Sequence, residues 1–425
     1  MSPNKENAAA IKRNSLREIC RRHYLLIAIK SNPLRGILRR SFLLFFLTFY
    51  LSPFTSTAQD SNNVSLHVAG SSFFINNEYF GDRISGYTLP GFVLQPNVEW
   101  KLNSDVTLSG GLHWLYYWGA RDYPATSAYG AYPMYDSAGR SLHVLPWIQA
   151  NFYFVPGLKF TLGCMDASTH KLPWPIYNQE LMTVGDPETG FQLTYKNRWV
   201  DMDVWCDWRE YIWDRSPVPE RFTAGASGEL SLEMDNGWWR LFLPIHFVVQ
   251  HEGGQNMSVS HNINNNFNGS TGVGVSKLWG NQNWASLSCR ALWYHQHGNA
   301  AVPFANGWGI YPELLFSSRH WSLMASYWYG KNFVPLLGSG HYSNLSTNTP
   351  GLTFDRTSVV TLYANWGWCP KDELFSKCYL RIYGALYHYL PSTGTFADGT
   401  THEYGHRNQI AFGAILNFNP TVRLH

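Results

Sequence analysis

The sequence predicts an all-β fold: a closed transmembrane antiparallel barrel of about sixteen strands, with long loops at one end and short turns at the other. Three observations predict it. Runs of about ten residues alternate apolar and polar side chains along most of the chain. Short and long connections alternate between those runs. The amino acid usage is poor in charge and rich in rings: charged residues are 14% and aromatics 16%, with 19 Trp, 25 Tyr and 25 Phe, where a soluble domain carries about 25% charged residues. Trp and Tyr collect where a protein crosses from lipid to water. Composition alone also suits a secreted β protein that binds carbohydrate through its rings, so the argument rests on the other two observations.

The N-terminus reads as an export signal. Arg35, Arg39 and Arg40 precede the apolar stretch Ser41–Phe54, which is shorter than the roughly 20 residues a spanning helix needs. Small residues at Ser56 and Ala58 predict a cut before Gln59. The expected division is therefore a targeting segment, 1–58, and a barrel, 59–425. Of the chain's 32 bases and 29 acids, 10 bases and 2 acids precede Gln59. The remainder holds 22 and 27, a net charge of −5, and no basic patch that would argue for nucleic acid.

Beyond residue 58 no segment offers 18 consecutive apolar residues. Sixteen alternating runs begin near Val64, Gly91, Val106, Leu142, Leu158, Thr189, Trp199, Arg221, Trp238, Gly269, Trp284, Gly307, Trp321, Thr357, Cys378 and Arg407. Connections after even-numbered runs are short, such as Asn103-Ser104-Asp105 and Val155-Pro156-Gly157. Those after odd-numbered runs include Ala120–Ser141, Asp166–Glu188 and Lys331–Arg356. Outer-membrane barrels sort their loops this way, with short turns in the periplasm and long loops outside; a sandwich has no reason to. Closure follows from physics, because an open sheet edge in hydrocarbon costs several kcal/mol per unpaired backbone group. Pro96, Pro146, Pro244 and Pro312 fall inside these runs, where each removes a ladder donor.

The run Trp199–Trp213 illustrates the two faces. Val200, Met202, Val204, Cys206 and Trp208 lie on one, Asp201, Asp203, Trp205, Asp207 and Arg209 on the other. A barrel turns the first to lipid and the second to its lumen. By this parity Glu229, Glu233, Arg240, Arg290, Arg381 and Arg407 also line the lumen, either as a transverse field that orients solutes or as salt bridges that brace a narrow barrel. Trp147, Tyr153, Trp205, Tyr383 and Tyr387 fall on the same face, as do Tyr211, Trp213, Tyr311 and Trp328. They stack on sugar rings, join the interfacial girdle, or fill the lumen.

Layout, an apolar signal ending Ser-Thr-Ala-Gln and Trp/Tyr-rich hairpins together resemble porin-like outer-membrane barrels, especially the aromatic-rich ones of the Bacteroidota, over roughly residues 60–420. The resemblance implies a place in the outer membrane, with lipid around the wall and small polar solutes inside, and carries over no site residues. Cys369 and Cys378 flank a short connection and are the one candidate disulfide; Cys164, Cys206 and Cys289 read as packed thiols. His295/His297 and His402/His406 have metal-site spacings but lack a clustered carboxylate set, so no metal or cofactor is expected. No GxSxG or HExxH motif occurs. The leading expectation is a passive channel without enzymatic activity. The alternatives are a closed barrel whose outer loops bind a glycan or protein, and an outer-membrane hydrolase.

Overall fold

The computed structural model describes residues 63–118, 142–215, 217–254, 263–280, 282–298, 302–368 and 378–424. The expected signal segment, the loop 120–141 and Cys369 lie outside the described residues. Sixteen antiparallel strands form the wall. They are β1 (Val64–Glu78), β2 (Tyr87–Lys101), β3 (Val106–Tyr117), β4 (Leu142–Val155), β5 (Leu158–Cys164), β6 (Thr189–Lys196), β7 (Val200–Glu210), β8 (Glu220–Met234), β9 (Trp239–Gly253), β10 (Asn264–Trp279), β11 (Asn283–His297), β12 (Asn306–Ser317), β13 (Trp321–Lys331), β15 (Thr357–Trp368), β16 (Cys378–Tyr389) and β19 (Arg407–Phe418). β1 pairs with β2 on one side and β19 on the other, which closes the barrel. Three short strands, β14 (Thr353–Phe354), β17 (Ser392–Thr395) and β18 (Thr401–Tyr404), form a separate sheet on the outer loops.

Most wall strands are longer than the 9–11 residues a tilted strand needs to cross a bilayer. Their outward positions are apolar and exposed, as at Val204, Trp208, Ile245, Leu287, Ile310, Leu362, Ile382 and Phe412. Such a band is soluble only in lipid, and the barrel lies in the outer membrane. The periplasmic turns are set by local chemistry. Asn103 Oδ1 accepts from the N–H groups of Asp105 (2.8 Å) and Val106 (2.9 Å), and Asn197 Oδ1 does the same for Trp199 (2.7 Å) and Val200 (2.8 Å). After Pro420 the short β20 (Thr421–Leu424) pairs with β1, so the residues beyond Phe418 lengthen the closing seam.

The prolines sit inside strands and interrupt ladders. The β2–β3 register skips from Leu94↔Trp114 to Asn97↔Gly111 around Pro96, and the β12–β13 register skips from Ile310↔Tyr329 to Glu313↔Ser326 around Pro312. A larger gap lies beside Pro146. β5 and β6 are the two shortest wall strands, and β4 loses its β5 partner beyond Gln149↔Gly163. Among the described residues, 142–148 of β4 keep only the β3 pairing. Gln149 Nε2 donates to the Cys164 carbonyl at 2.7 Å, capping β5 where it stops.

The lumen is filled by its own loops. Residues 332–346 carry Phe333, Val334, Leu336, Leu337 and Tyr342, all essentially inaccessible. Asn268 on β10 holds this segment by accepting from Leu336 N–H (2.8 Å) and donating to the Val334 carbonyl (3.0 Å). A parallel bridge, Tyr177↔Leu337, joins it to the connection 165–188. Arg83, from the β1–β2 loop, donates to the Ser343 carbonyl (3.1 Å), Thr357 (2.8 Å) and Ser392 (3.2 Å) and lies over the Phe354 ring. The apolar core of this barrel is thus inside it as well as on its lipid face.

Candidate functional site: two histidine–carboxylate centres in the lumen

The connection 165–188 enters the lumen and builds two centres. The first joins it to β7. His170 directs Nδ1 at Asp203 (2.8 Å) and Nε2 at Glu188 (2.6 Å), and its ring stacks on Trp205 at 3.7 Å. Trp205 in turn lies flat against Gly225 of β8, where a Cβ would collide with the indole. Thr169 (2.6 Å) and Gln192 (3.1 Å) also donate to Asp203, and Tyr177 donates to Glu188 (3.2 Å). Burial opposes a charge on His170, but Glu188 and the Asp203 hydrogen bond outweigh it and raise the imidazole to about 9. The Glu188 carboxyl is held below its ordinary range: burial opposes this, and the His170 charge overcomes it. The centre is a buried ion triad that pins the loop to the wall.

The second centre joins the same connection to β3 and β4. Asp186 lies 3.0 Å from His143 Nδ1 and 3.5 Å from His113 Nε2. Gln95 Nε2 donates to His113 Nδ1 at 2.8 Å, which puts the His113 proton on Nε2, facing Asp186. His143 directs Nδ1 at the same carboxylate. Burial opposes ionisation of Asp186, but hydrogen bonds from His113 and His143 hold its carboxyl below the usual range. Asp186 borders a cavity of about 380 Å³ with Trp147, Gln149, Ser168, Glu188 and Arg209. Arg209 is braced by Asp207 at 2.6 Å. This centre sits behind the stretch of β4 that lacks a β5 partner.

A second cavity, of about 450 Å³, lies across the 168–182 segment and is lined by Tyr87, Trp174, Glu180, Arg381, Tyr383 and Tyr387 among others. Glu180 accepts from Tyr87 (2.6 Å) and Asn77 (3.4 Å).

The remaining sequence candidates divide by position. Asp203, Trp205, Asp207 and Arg209 meet at the two centres, Trp147 borders the 380 Å³ cavity, and Arg381, Tyr383 and Tyr387 border the other. Asp201 pairs with Lys171 and with Lys196 (3.1 Å). Arg240 pairs with Glu229 at 2.7 Å and Arg290 with Glu313 at 2.9 Å, between neighbouring strands rather than across the lumen. Glu233 and Tyr153 are exposed near the periplasmic turns. Arg407 donates to the Phe80 carbonyl at the outer rim. Tyr211 and Trp213 follow the end of β7 and are exposed. Tyr311 and Trp328 are fully buried against the inner loops. Cys378 is half-buried at the start of β16, and its candidate partner Cys369 is outside the described residues. Among the described residues no His, Cys, Asp and Glu group has the geometry of a metal site.

His113, His143, His170, Asp186 and Glu188 were not singled out from sequence. Parity places His113 and His143 inward, and that is the signal that was there to use. The loop residues have no periodicity to read.

These features define an outer-membrane barrel whose lumen is occupied by inward-folded loops that assemble buried acid–base groups. A model of the lipid A 3'-O-deacylase-type family matches residues 56–425, and the chain belongs to that family. The expectation of a non-enzymatic barrel is thereby corrected, since the family is an enzyme family. Strand layout carries no information about chemistry that is assembled from loop residues distant in sequence. No curated protein matches the chain. Among solved structures, the outer membrane protein OpdK of Pseudomonas aeruginosa matches with a TM-score of 0.44 at 9% identity, over 85% of this chain and 99% of that one. OmpT of Vibrio cholerae gives 0.44 at 10% identity, over 85% and 99%. OccAB4 of Acinetobacter baumannii gives 0.46 at 9%, over 85% and 98%.

Proposed function

We propose that the protein is an outer-membrane acyl-ester hydrolase of the lipid A deacylase type, with His143 and Asp186 as its acid–base pair. The observation that supports this beside the family is the position of Asp186, the partner of His143: it borders a 380 Å³ cavity behind the stretch of wall, residues 142–148, where β5 has ended. A lipid in the outer leaflet meets the barrel from the side, so the gap is the natural point of entry for an acyl chain. In the proposed reaction the His143 imidazole takes a proton from water as the oxygen adds to the acyl carbonyl carbon. The ester C–O bond to the sugar then breaks, and the departing alkoxide takes that proton back. Asp186 orients the ring and stabilises the imidazolium. Arg209, held by Asp207, faces the oxyanion that develops between the two steps.

The test is incubation of the purified mature protein with lipid A in mixed micelles, with released fatty acid read by mass spectrometry. Release by the wild type, reduced roughly 10²–10⁴-fold in His143→Gln and Asp186→Asn, supports the assignment. A folded wild type that releases no acyl chain overturns it.

A second reading, passage of small polar solutes, is favoured by the other cavity, whose lining runs from Tyr87 at the outer end to Arg381 and Asn417 in the periplasmic half. Discrete conductance steps in a planar bilayer support it; a silent bilayer overturns it.

A further inference from the structure

The periplasmic half of the 450 Å³ cavity plays no part in the hydrolytic reading, and it contains an inward arginine unlike the others. Arg209, Arg240 and Arg290 each have a carboxylate within 2.9 Å. Arg381 has no hydrogen-bond or ion-pair partner among the described residues, and its Nε is buried without one. The carboxylate that shares the cavity, Glu180, is already engaged by Tyr87 and Asn77. Around Arg381 the wall is aromatic. Tyr363 and Tyr383 lie 5.9 Å apart at an interplanar angle of 30°, and Trp174 meets Tyr363 edge-on at 5.2 Å. The Tyr383 ring occupies the space beside Gly413 on β19, where a Cβ would come within 2.7 Å of it.

A half-buried guanidinium without a counter-charge is costly, and the cost is relieved by a planar anion that accepts from its fork. A guanidinium matches a carboxylate in two parallel hydrogen bonds, and flanking rings favour a flat apolar body over a fully hydrated ion. The volume falls in the range of about 300–1,000 Å³ common to small-molecule sites. We propose that this end of the lumen is a binding site for a small organic carboxylate with a planar or ring-shaped body, its carboxylate on Arg381 and its ring against Tyr363, Tyr383 and Trp174. The proposal stands independently of the hydrolase assignment.

The test is calorimetric titration of the purified mature barrel in detergent with 4-hydroxybenzoate, with its neutral amide 4-hydroxybenzamide, and with inorganic phosphate. The acid is expected to bind, and the amide and phosphate to bind roughly tenfold or more weakly. Arg381→Met abolishes binding of the acid, and Arg381→Lys retains a weakened form of it. Absence of acid binding to the wild type overturns the site. So does equal binding of acid and amide, phosphate binding as tightly as the acid, or full binding in a folded Arg381→Met. The comparison of acid with amide uses only the wild-type protein, so it decides even if the variants do not assemble.

Discussion

The two histidine–carboxylate centres on the connection 165–188 use the same residue types to opposite ends. His170 spends both ring nitrogens on Glu188 and Asp203 and stacks a face on Trp205, so every polar edge of the ring is committed to the protein. His143 commits Nδ1 to Asp186, and that carboxylate opens onto a cavity at a gap in the wall. A histidine flanked by two acids on a sheet is therefore weak evidence of catalysis by itself. The two centres differ in how the ring is held: His170 is clamped between two acids, while His143 faces a single carboxylate, and that difference is what the hydrolase assignment uses.

The comparison can be broken at the first centre most severely. His170→Ala removes the imidazolium from between two buried carboxylates, and removal of one partner from a buried pair costs about 3–5 kcal/mol. Denaturant unfolding in detergent should show that loss, and a change below about 1 kcal/mol would mean the triad does not pin the loop. The pH dependence sharpens the same point. His170 is raised to about 9 from an ordinary value near 6.5. Its contribution to stability is therefore fully present below about pH 6.5 and is lost as the pH rises through about 9. The unfolding midpoint should fall across that interval in the wild type and change less in His170→Gln. The smallest effect is expected where a pair is only partly enclosed. Arg240→Ala removes the bond to Glu229 on the lumen wall and should cost no more than about 1 kcal/mol, because solvent screens it. A loss comparable to that of His170→Ala would erase the distinction between buried and partly exposed pairs.

The barrel was legible because its constraint is periodic. Lipid outside and polar groups inside force an alternation that sixteen runs display, and strand starts such as Val64, Val106, Leu158 and Trp321 follow from it. Where pairing alone carries the strand, the pattern fails. β10 begins at Asn264 rather than near Gly269, because Asn264-Asn-Asn-Phe-Asn has no apolar alternation and is held by β9 and β11 on both sides. The gap beside Pro146 was half visible: the proline was seen in a strand, but the early end of β5 depends on Gly163, at φ +101°, and on the Gln149 cap. The centres were the least legible. Asp186 meets His113 and His143 across more than forty residues, and a loop that folds inward leaves no repeat to mark its contacts.

The measurement that bears most directly on the account is a parallel assay of Asp186→Asn and His170→Gln, following acyl release from lipid A per folded molecule alongside the unfolding midpoint. The account predicts that Asp186→Asn assembles and melts close to wild type but releases almost no fatty acid, whereas His170→Gln melts earlier and still turns over. Turnover retained by Asp186→Asn and lost by folded His170→Gln would contradict it.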